Sequence, residues 1–184
     1  MMPAYTLVGS RKTPSTILLE ATKIGIWISQ QQHFARSGHA EGFDWAAEQG
    51  AAKFCDVFLP WLGFNKHLPM LGTPVVVKST EAHEALVRKY HPAPDRLSKW
   101  AFDLMARNSC QVLGEDLESP SLATVCWCPG DRGGTGQAVR ISEGFGIPVI
   151  RMHLSEFATA ELVIAELERI LESKELYSKP PEPP

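Results

Sequence analysis

The chain has 184 residues, a length at which one domain is expected and at which a large core can be buried. Its net charge of −3 excludes the strongly basic surface of proteins that bind duplex nucleic acid. No apolar run approaches the ~18 residues of a membrane-spanning helix, and no signal peptide pattern opens the chain. We therefore expect a cytoplasmic protein without a membrane partner.

The first half of the chain alternates β-rich runs with amphipathic helical patterns. Short apolar runs predict strands at residues 5–8, 34–37, 56–59 and 74–77. Apolar residues spaced three and four apart predict helices that open at Pro14, cover residues 43–53 and cover residues 81–90. Such alternation is typical of βα units with parallel strands.

The second half continues the same alternation. A helical pattern over residues 95–107 precedes a strand at 122–128, a helix at 135–145 and a strand at 148–150. An amphipathic helix over 158–172 closes the pattern, and it either covers the sheet or forms a dimer seam. The sequence thus predicts one Rossmann-like α/β domain over residues 1–174, with a mostly parallel sheet in three layers. The proline-rich residues 175–184 are expected to be a disordered tail.

The glycine-rich segment 130–137 lies between the strand at 122–128 and the next helix. A bare loop that ends in a helix N-terminus offers backbone N–H groups and a positive dipole end to an anion, most often a phosphate. The predicted phosphate-binding residues of this segment are Gly130, Arg132, Gly133, Gly134, Thr135, Gly136 and Gln137. It is neither a Walker motif nor a dinucleotide fingerprint, because it lacks the GK[ST] ending and the GxGxxG spacing.

Two further polar glycine turns follow predicted strands. Gly9, Ser10 and Arg11 follow the first strand, and Ser37 and Gly38 follow the second. Because the carboxyl ends of parallel strands meet at one edge of a sheet, we expect all three turns to border one ligand crevice. Arg11 suits a bidentate phosphate contact.

Other residues near these turns have two readings each. Glu41 and Asp44 either stabilise the start of a helix or act on ribose, as nucleophile or base at an anomeric carbon. Asn108 either caps its helix or reaches the crevice. Trp61 is the candidate for stacking on a base, whereas the other tryptophans are expected in the core.

The four cysteines include no CxxC pair, so we expect free core thiols in a reducing compartment rather than a zinc site. Nothing in the sequence calls for a metal or another cofactor.

Three segments together carry a resemblance to the SMF/DprA–LOG (SLOG) superfamily of Rossmann-like nucleotide-binding proteins. They are strand-Gly-Ser-Arg at 9–11, an SGxAxGxD-like turn at 37–44, and the glycine loop at 130–136 followed by the GIPVI strand at 146–150. The resemblance spans residues 5–152, and the segment around Arg107 and Asn108 is similar to phage-encoded members. It implies a Rossmann-like nucleotide-binding fold, and relatives often form homodimers.

The resemblance also bears on chemistry. Some relatives are phosphoribohydrolases, which split a nucleoside monophosphate and carry the hallmark PGGxGTxxE. Here the GT is Gly134-Thr135, but Ala138 stands where the hallmark glutamate is expected. A hydrolase would therefore need Glu41 or Asp44 as its carboxylate.

Four functions remain open from the sequence. The first is binding of a nucleotide or nucleotide-sugar phosphate, and the second adds cleavage of its N-glycosidic bond. The third is a non-catalytic sensor or sponge for a nucleotide signal, serving a phage against host defence. The fourth is binding of single-stranded DNA, which the acidic balance of the chain disfavours.

Overall fold

The computed structural model describes residues 2–66 and 72–178. Six strands form the sheet: β1 (Ala4–Gly9), β2 (Phe34–Ser37), β3 (Cys55–Leu59), β4 (Thr73–Val76), β5 (Ala123–Trp127) and β6 (Val149–Arg151). Six α-helices surround it: α1 (Ser15–Gln30), α2 (Phe43–Ala51), α3 (Glu81–Tyr90), α4 (Lys99–Leu113), α5 (Gly133–Gly144) and α6 (Ala160–Ser178). The α/β class predicted from the sequence is confirmed.

All strand pairs in the sheet are parallel, and the strand order is β4-β3-β2-β1-β5-β6. The order reverses direction between β1 and β5, where Val8 pairs with Cys126 and Gly9 pairs with Trp127. In open α/β sheets, ligands bind outside the carboxyl ends of the strands at such a reversal. The topology therefore places the candidate site beyond Gly9 and Trp127.

Alternate residues of the central strands pack into two separate cores. Leu7 and Val125 belong to the core that buries α1, α2 and α6, whereas Val8 and Cys126 belong to the core beneath α4 and α5. This alternation follows from the twofold repeat of a β-strand and produces three layers. Helix α6 packs on the sheet through buried residues that include Val163 and Leu167, as the first of the two expectations for that helix has it.

Some helix ends differ from the predictions. Helix α4 begins at Lys99, because Pro94–Arg96 forms a separate 3₁₀ turn and the Ser98 hydroxyl accepts a hydrogen bond from the N–H of Ala101. Helix α6 continues to Ser178, so the predicted tail at 175–184 overlaps its last turn, and residues 179–184 lie outside the described part.

The prediction that the tryptophans other than Trp61 lie in the core is wrong for two of them. Trp45 and Trp100 were expected in the core, but their exposed fractions are 41% and 64%. All four cysteines are buried free thiols, as predicted. Among the described residues, no helix combines the length and the apolar character needed to cross a bilayer.

Candidate functional site

A cleft of about 610 Å³ opens at the carboxyl ends of β1 and β5. Residues 8–12 and 127–129 border it at the strand ends, and residues 132–135 at the start of α5 form one side. The opposite side consists of one face of α4 and the turn at Phe64 and Asn65. The cleft therefore coincides with the reversal of the strand order, and its size is typical of small-molecule sites.

The N-terminus of α5 is open toward this cleft. Arg132 occupies the N-cap position in extended conformation, no side chain caps the helix, and its first turn contains no acidic residue. The first N–H groups of a helix have no intrahelical partners. Gly133, Gly134 and Thr135 line the cleft, so their N–H groups and the positive end of the helix are available to an anion.

The loop before α5 is fixed from behind. Gly130 and Asp131 both have positive φ, at 82° and 47°. Arg140 donates from Nη1 to the Asp131 carbonyl at 3.1 Å, and Arg151 donates from Nη2 to its carboxylate at 3.4 Å. A Cβ on Gly136 would overlap the Asp131 carbonyl. Gly130 and Gly136 thus shape the loop and do not line the cleft.

The charged side chains that line the cleft are all positive. Four cationic side chains line it: Arg11, Lys12, Arg107 and Arg132. Among the described residues, no Asp or Glu lines it, although acidic residues outnumber basic ones in the whole chain. An anionic group is therefore favoured there by both the side chains and the helix dipole.

Arg107 is the buried member of this set, with 4% of its surface exposed. Its Nη1 donates to Gln111 Oε1 at 3.0 Å, and its guanidinium lies 5.4 Å from the centre of the Phe64 ring. A Cβ on Gly38 would overlap the guanidinium, so the glycine gives Arg107 its path past β2. Burial lowers the pKa of Arg107 to about 10, and the carboxylates of Asp44 and Glu48 oppose the shift.

Two unsatisfied hydrogen-bond donors belong to Arg107 and Gln111, which form the part of the α4 side that we call the floor of the cleft. Among the described residues, Arg107 Nε and Gln111 Nε2 are buried and have no hydrogen-bond partner, and both residues line the cleft. Buried donors are normally paired, so two orphaned donors at one surface indicate a missing acceptor. Both atoms are themselves shielded from solvent, so an acceptor in the cleft reaches them only when these side chains shift.

Asn108 joins the two walls. Its Nδ2 donates to the Gly134 carbonyl and to Gln137 Oε1, each at 3.1 Å. The C-cap of α4 is Gly114, so Asn108 reaches the cleft and does not cap its helix. Gln137 is buried behind this contact and does not line the cleft, so it supports the wall rather than facing a ligand.

One wall of the cleft is apolar. Phe64, Leu104 and Met105 face it from the side of α4, and Trp127 adds a ring at the end of β5. Trp61, the predicted stacking residue, does not line the cleft but packs its ring against Phe64 at 5.3 Å. The combination of an apolar wall and a cationic edge suits a ligand with a planar ring and a phosphate.

The second glycine turn has its polar groups directed inward. Asp44 is buried and accepts from the Gly9 N–H at 2.8 Å and from the Gly38 N–H at 3.2 Å. Burial raises the pKa of Asp44 to about 6, although Arg107 and the Gly9 N–H act in the opposite direction. Asp44 ties the ends of β1 and β2 together, and it lies outside the lining of the cleft.

Glu48, which was not predicted from the sequence, also accepts hydrogen bonds from this turn and lies one helical turn after Asp44 in α2. It accepts from the Ser37 hydroxyl at 2.6 Å and lies 2.7 Å from His39 Nδ1. Ser37 and His39 are consequently buried beneath the turn and do not line the cleft, whereas Ala40 does.

The predicted site residues therefore divide into two groups. The structure brings seven of them to the cleft: Gly9, Ser10, Arg11, Arg132, Gly133, Gly134 and Thr135. It leaves seven outside: Ser37, Gly38, Glu41, Asp44, Gly130, Gly136 and Gln137. Glu41 is exposed to solvent. Neither carboxylate offered for catalysis reaches the cleft.

The sequence reading missed Arg107 and Gln111 as site residues. The available signal was their spacing from Leu104, which puts all three on one face of a helix. Polar residues on the face of a helix that packs toward a sheet indicate either a buried network or a site.

Neither a protein-family model nor a curated protein matches this chain. Several chains of solved structures do match it. DNA processing protein A from Helicobacter pylori, described for its single-stranded DNA binding mode, has a TM-score of 0.55 and 13% identity, covering 90% of this chain and 73% of that one. The Chlamydomonas rheinhardtii Moco carrier protein has a TM-score of 0.56 and 15% identity, covering 94% and 99%.

Both proteins have SLOG-type Rossmann-like folds. The fold that the resemblance implies is therefore confirmed, and at these identities the likeness is a likeness of fold.

Proposed function

We propose that this protein binds a nucleotide or a nucleotide-derived phosphate in the cleft and releases it unchanged. The observation that carries the proposal is the positive charge of the cleft. Its lining includes Arg11, Lys12, Arg107 and Arg132 beside the uncapped N-terminus of α5, and no carboxylate occurs among the described lining residues. Phosphates are the anions that such helix ends most often hold.

The walls give the ligand an orientation. A phosphate lies against the N–H groups of Gly133 and Gly134, with Arg132 beside it, because these are the exposed donors of the helix end. A planar base lies against Phe64 and Leu104, the apolar side of the cleft. A rotation of the Arg107 and Gln111 side chains then lets sugar or base oxygens accept from their unsatisfied donors, which are shielded from solvent without ligand.

The same geometry argues against cleavage of an N-glycosidic bond. Such hydrolysis uses a carboxylate as nucleophile or as base beside the anomeric carbon. The hallmark position holds Ala138, which is 1% exposed, and Asp44 accepts backbone N–H groups with both oxygens. A sensor or sponge for a nucleotide signal therefore fits the site better than a phosphoribohydrolase.

The structural neighbours support a ligand-binding role. One binds single-stranded DNA, a phosphate-bearing chain of planar bases, and the other is a carrier of a small cofactor. In this chain four of the cationic side chains line one cleft of about 610 Å³, a volume typical of small-molecule sites. That volume favours a small molecule over a nucleic-acid strand.

Calorimetric titration with AMP and ADP-ribose tests the proposal. We expect both to bind the wild type, and Arg107→Met to weaken binding by about 100-fold, since buried charge-assisted hydrogen bonds contribute ~1.5–3 kcal/mol each. Arg88→Ala is the matched control, because Arg88 is an exposed arginine that pairs with Asp95 outside the cleft. Thermal unfolding without ligand shows whether each variant is folded.

Chromatography of the incubated nucleotide completes the test. We expect intact AMP after prolonged incubation. Release of adenine in proportion to the amount of protein would replace this proposal with the hydrolase reading. Failure of both ligands to bind or to raise the melting temperature at millimolar concentration would end it.

A further inference from the structure

One face of α4 extends from the floor of the cleft to its mouth. Gln111, Arg107, Leu104 and Trp100 follow one another at spacings of four, three and four residues, so they share that face. At a rise of about 1.5 Å per residue, the row spans ~16 Å. It is polar at the floor, apolar in the middle and aromatic at the mouth.

The aromatic surface continues beyond the cleft without a break. The Phe64 ring lines the cleft, the Trp61 ring contacts it edge to face at 5.3 Å, and the Trp100 ring contacts Trp61 at 5.1 Å and 80°. Edge-to-face contacts of this kind are attractive and hold the rings in defined orientations. The three rings form a fixed aromatic shelf that leads from inside the cleft to solvent.

The exposure of this shelf is not explained by packing. Trp100 has 64% of its surface exposed, and most tryptophans are largely buried. Planar bases stack on exposed aromatic rings whatever their sequence. An exposed ring beside a cationic cleft therefore matches a ligand that has a second planar group and a charged linkage.

We propose that Trp61 and Trp100 form a second stacking subsite, an inference that rests on the proposed function. The ligand is then a free dinucleotide, in which two nucleosides are joined through phosphate. The first base lies against Phe64 and Leu104, the phosphates lie between α5 and Arg11, and the second base stacks on Trp100 at the mouth. A free dinucleotide is favoured over a strand because the cleft has a volume of about 610 Å³, which is typical of a small-molecule site.

Three probes separate the subsites. AMP has one base and one phosphate, ADP-ribose has one base and two phosphates, and the linear dinucleotide pApA has two of each. We expect pApA to bind the wild type at least tenfold more tightly than ADP-ribose, since stacking of one base on an aromatic ring is worth about that factor or more. Trp100→Ala should remove most of this advantage and leave AMP and ADP-ribose unchanged.

Trp45→Ala is the control variant, because Trp45 is a partly exposed tryptophan on α2 outside the cleft lining. Trp100→Phe, which keeps a ring, should restore most of the affinity for pApA. Quenching of tryptophan fluorescence by pApA in the wild type, reduced in Trp100→Ala, reports the stacking directly.

The outcomes separate a failure of the second stacking subsite from a failure of the proposed function. If AMP binds but pApA binds no better than ADP-ribose, the second subsite is wrong and the proposed function stands. If none of the three binds, the proposed function itself is wrong. If a ten-residue oligothymidylate binds more tightly than pApA, with a steep dependence on salt, the ligand is a strand and the free dinucleotide is rejected.

Discussion

Two glycine-containing turns that each lead into a helix have opposite structural roles in this protein. The turn at 130–136 leads into α5 and leaves its N–H groups uncapped toward the cleft. The turn at 37–44 leads into α2, and there Asp44 takes up the N–H groups of Gly9 and Gly38. The first turn is built to receive an outside anion, whereas the second already contains its own.

The difference comes from where the acidic residues lie. Helix α2 has Asp44 in its first turn, and helix α5 has no acidic residue there. The Asp44 carboxylate satisfies the N–H groups of Gly9 and Gly38 and not those of its own helix, which has no side-chain cap, as in α5. The start of α5 differs because no carboxylate there opposes a bound anion. The internal anion also holds β1 and β2 at the spacing on which the floor of the cleft depends. Glycine content alone therefore does not identify a phosphate loop.

Removal of the Asp44 carboxylate is expected to have the largest effect on the protein. Asp44→Ala leaves two buried N–H groups without acceptors, at a cost of ~1–3 kcal/mol each. We expect the free energy of unfolding to fall by about 4 kcal/mol in urea denaturation. Glu41→Ala in the same turn should change it by less than ~0.5 kcal/mol, because Glu41 is exposed. Equal effects of the two substitutions would contradict the assigned role of Asp44.

The same carboxyl group should make stability depend on pH. Burial raises the pKa of Asp44 from 3.8 to about 6, so the folded protein binds this proton more tightly than the unfolded chain. The resulting stabilisation is complete below the unfolded pKa and is lost as pH rises through about 6. The wild type should lose about 3 kcal/mol relative to Asp44→Asn between pH ~4 and ~7. A constant difference in unfolding free energy would contradict the raised pKa.

The fold was predictable because its signals are local. The β runs and the three-and-four spacing of apolar residues are properties of short segments, and they predicted all six strands. The strand order was not predictable, because it depends on which helices cover which face. The return of α3 and α4 across the second face places β5 beside β1, and no short segment specifies that path.

The site was predictable where it consists of the glycine loops and the residues next to them in the sequence, including Arg11 and Arg132. Gly133 and Gly134 indicate an uncapped helix N-terminus from the sequence alone, and both line the cleft. Arg107 belongs to the middle of a helix, and its place depends on Gly38, about seventy residues away along the chain, which leaves space for its guanidinium. Asp44 was expected to act on a ligand, but its partners are backbone groups of distant turns. Contacts of this kind are set by tertiary packing.

A methyl group at the open helix end should separate stability from binding. Gly134→Ala should change the free energy of unfolding by less than ~0.5 kcal/mol, because the helix preference of alanine is offset by the close approach of its Cβ to Asn108. The added Cβ would lie 3.0 Å from Asn108 Nδ2 and beside the anion site, so AMP affinity should fall about tenfold by calorimetry. A variant that loses stability and keeps its affinity would place the phosphate elsewhere.

The smallest effects should come from the exposed cations. Arg11 and Arg132 are exposed, so solvent and salt screen their attraction for a phosphate more than they screen that of buried Arg107. Arg11→Ala and Arg132→Ala should each weaken AMP binding about threefold at low salt. The loss should nearly vanish at ~0.5 M salt, whereas the effect of Arg107→Met should persist there. If all three variants respond equally to salt, Arg107 contacts the ligand from solvent, and the floor of the cleft is not the dry, donor-lined surface described for it.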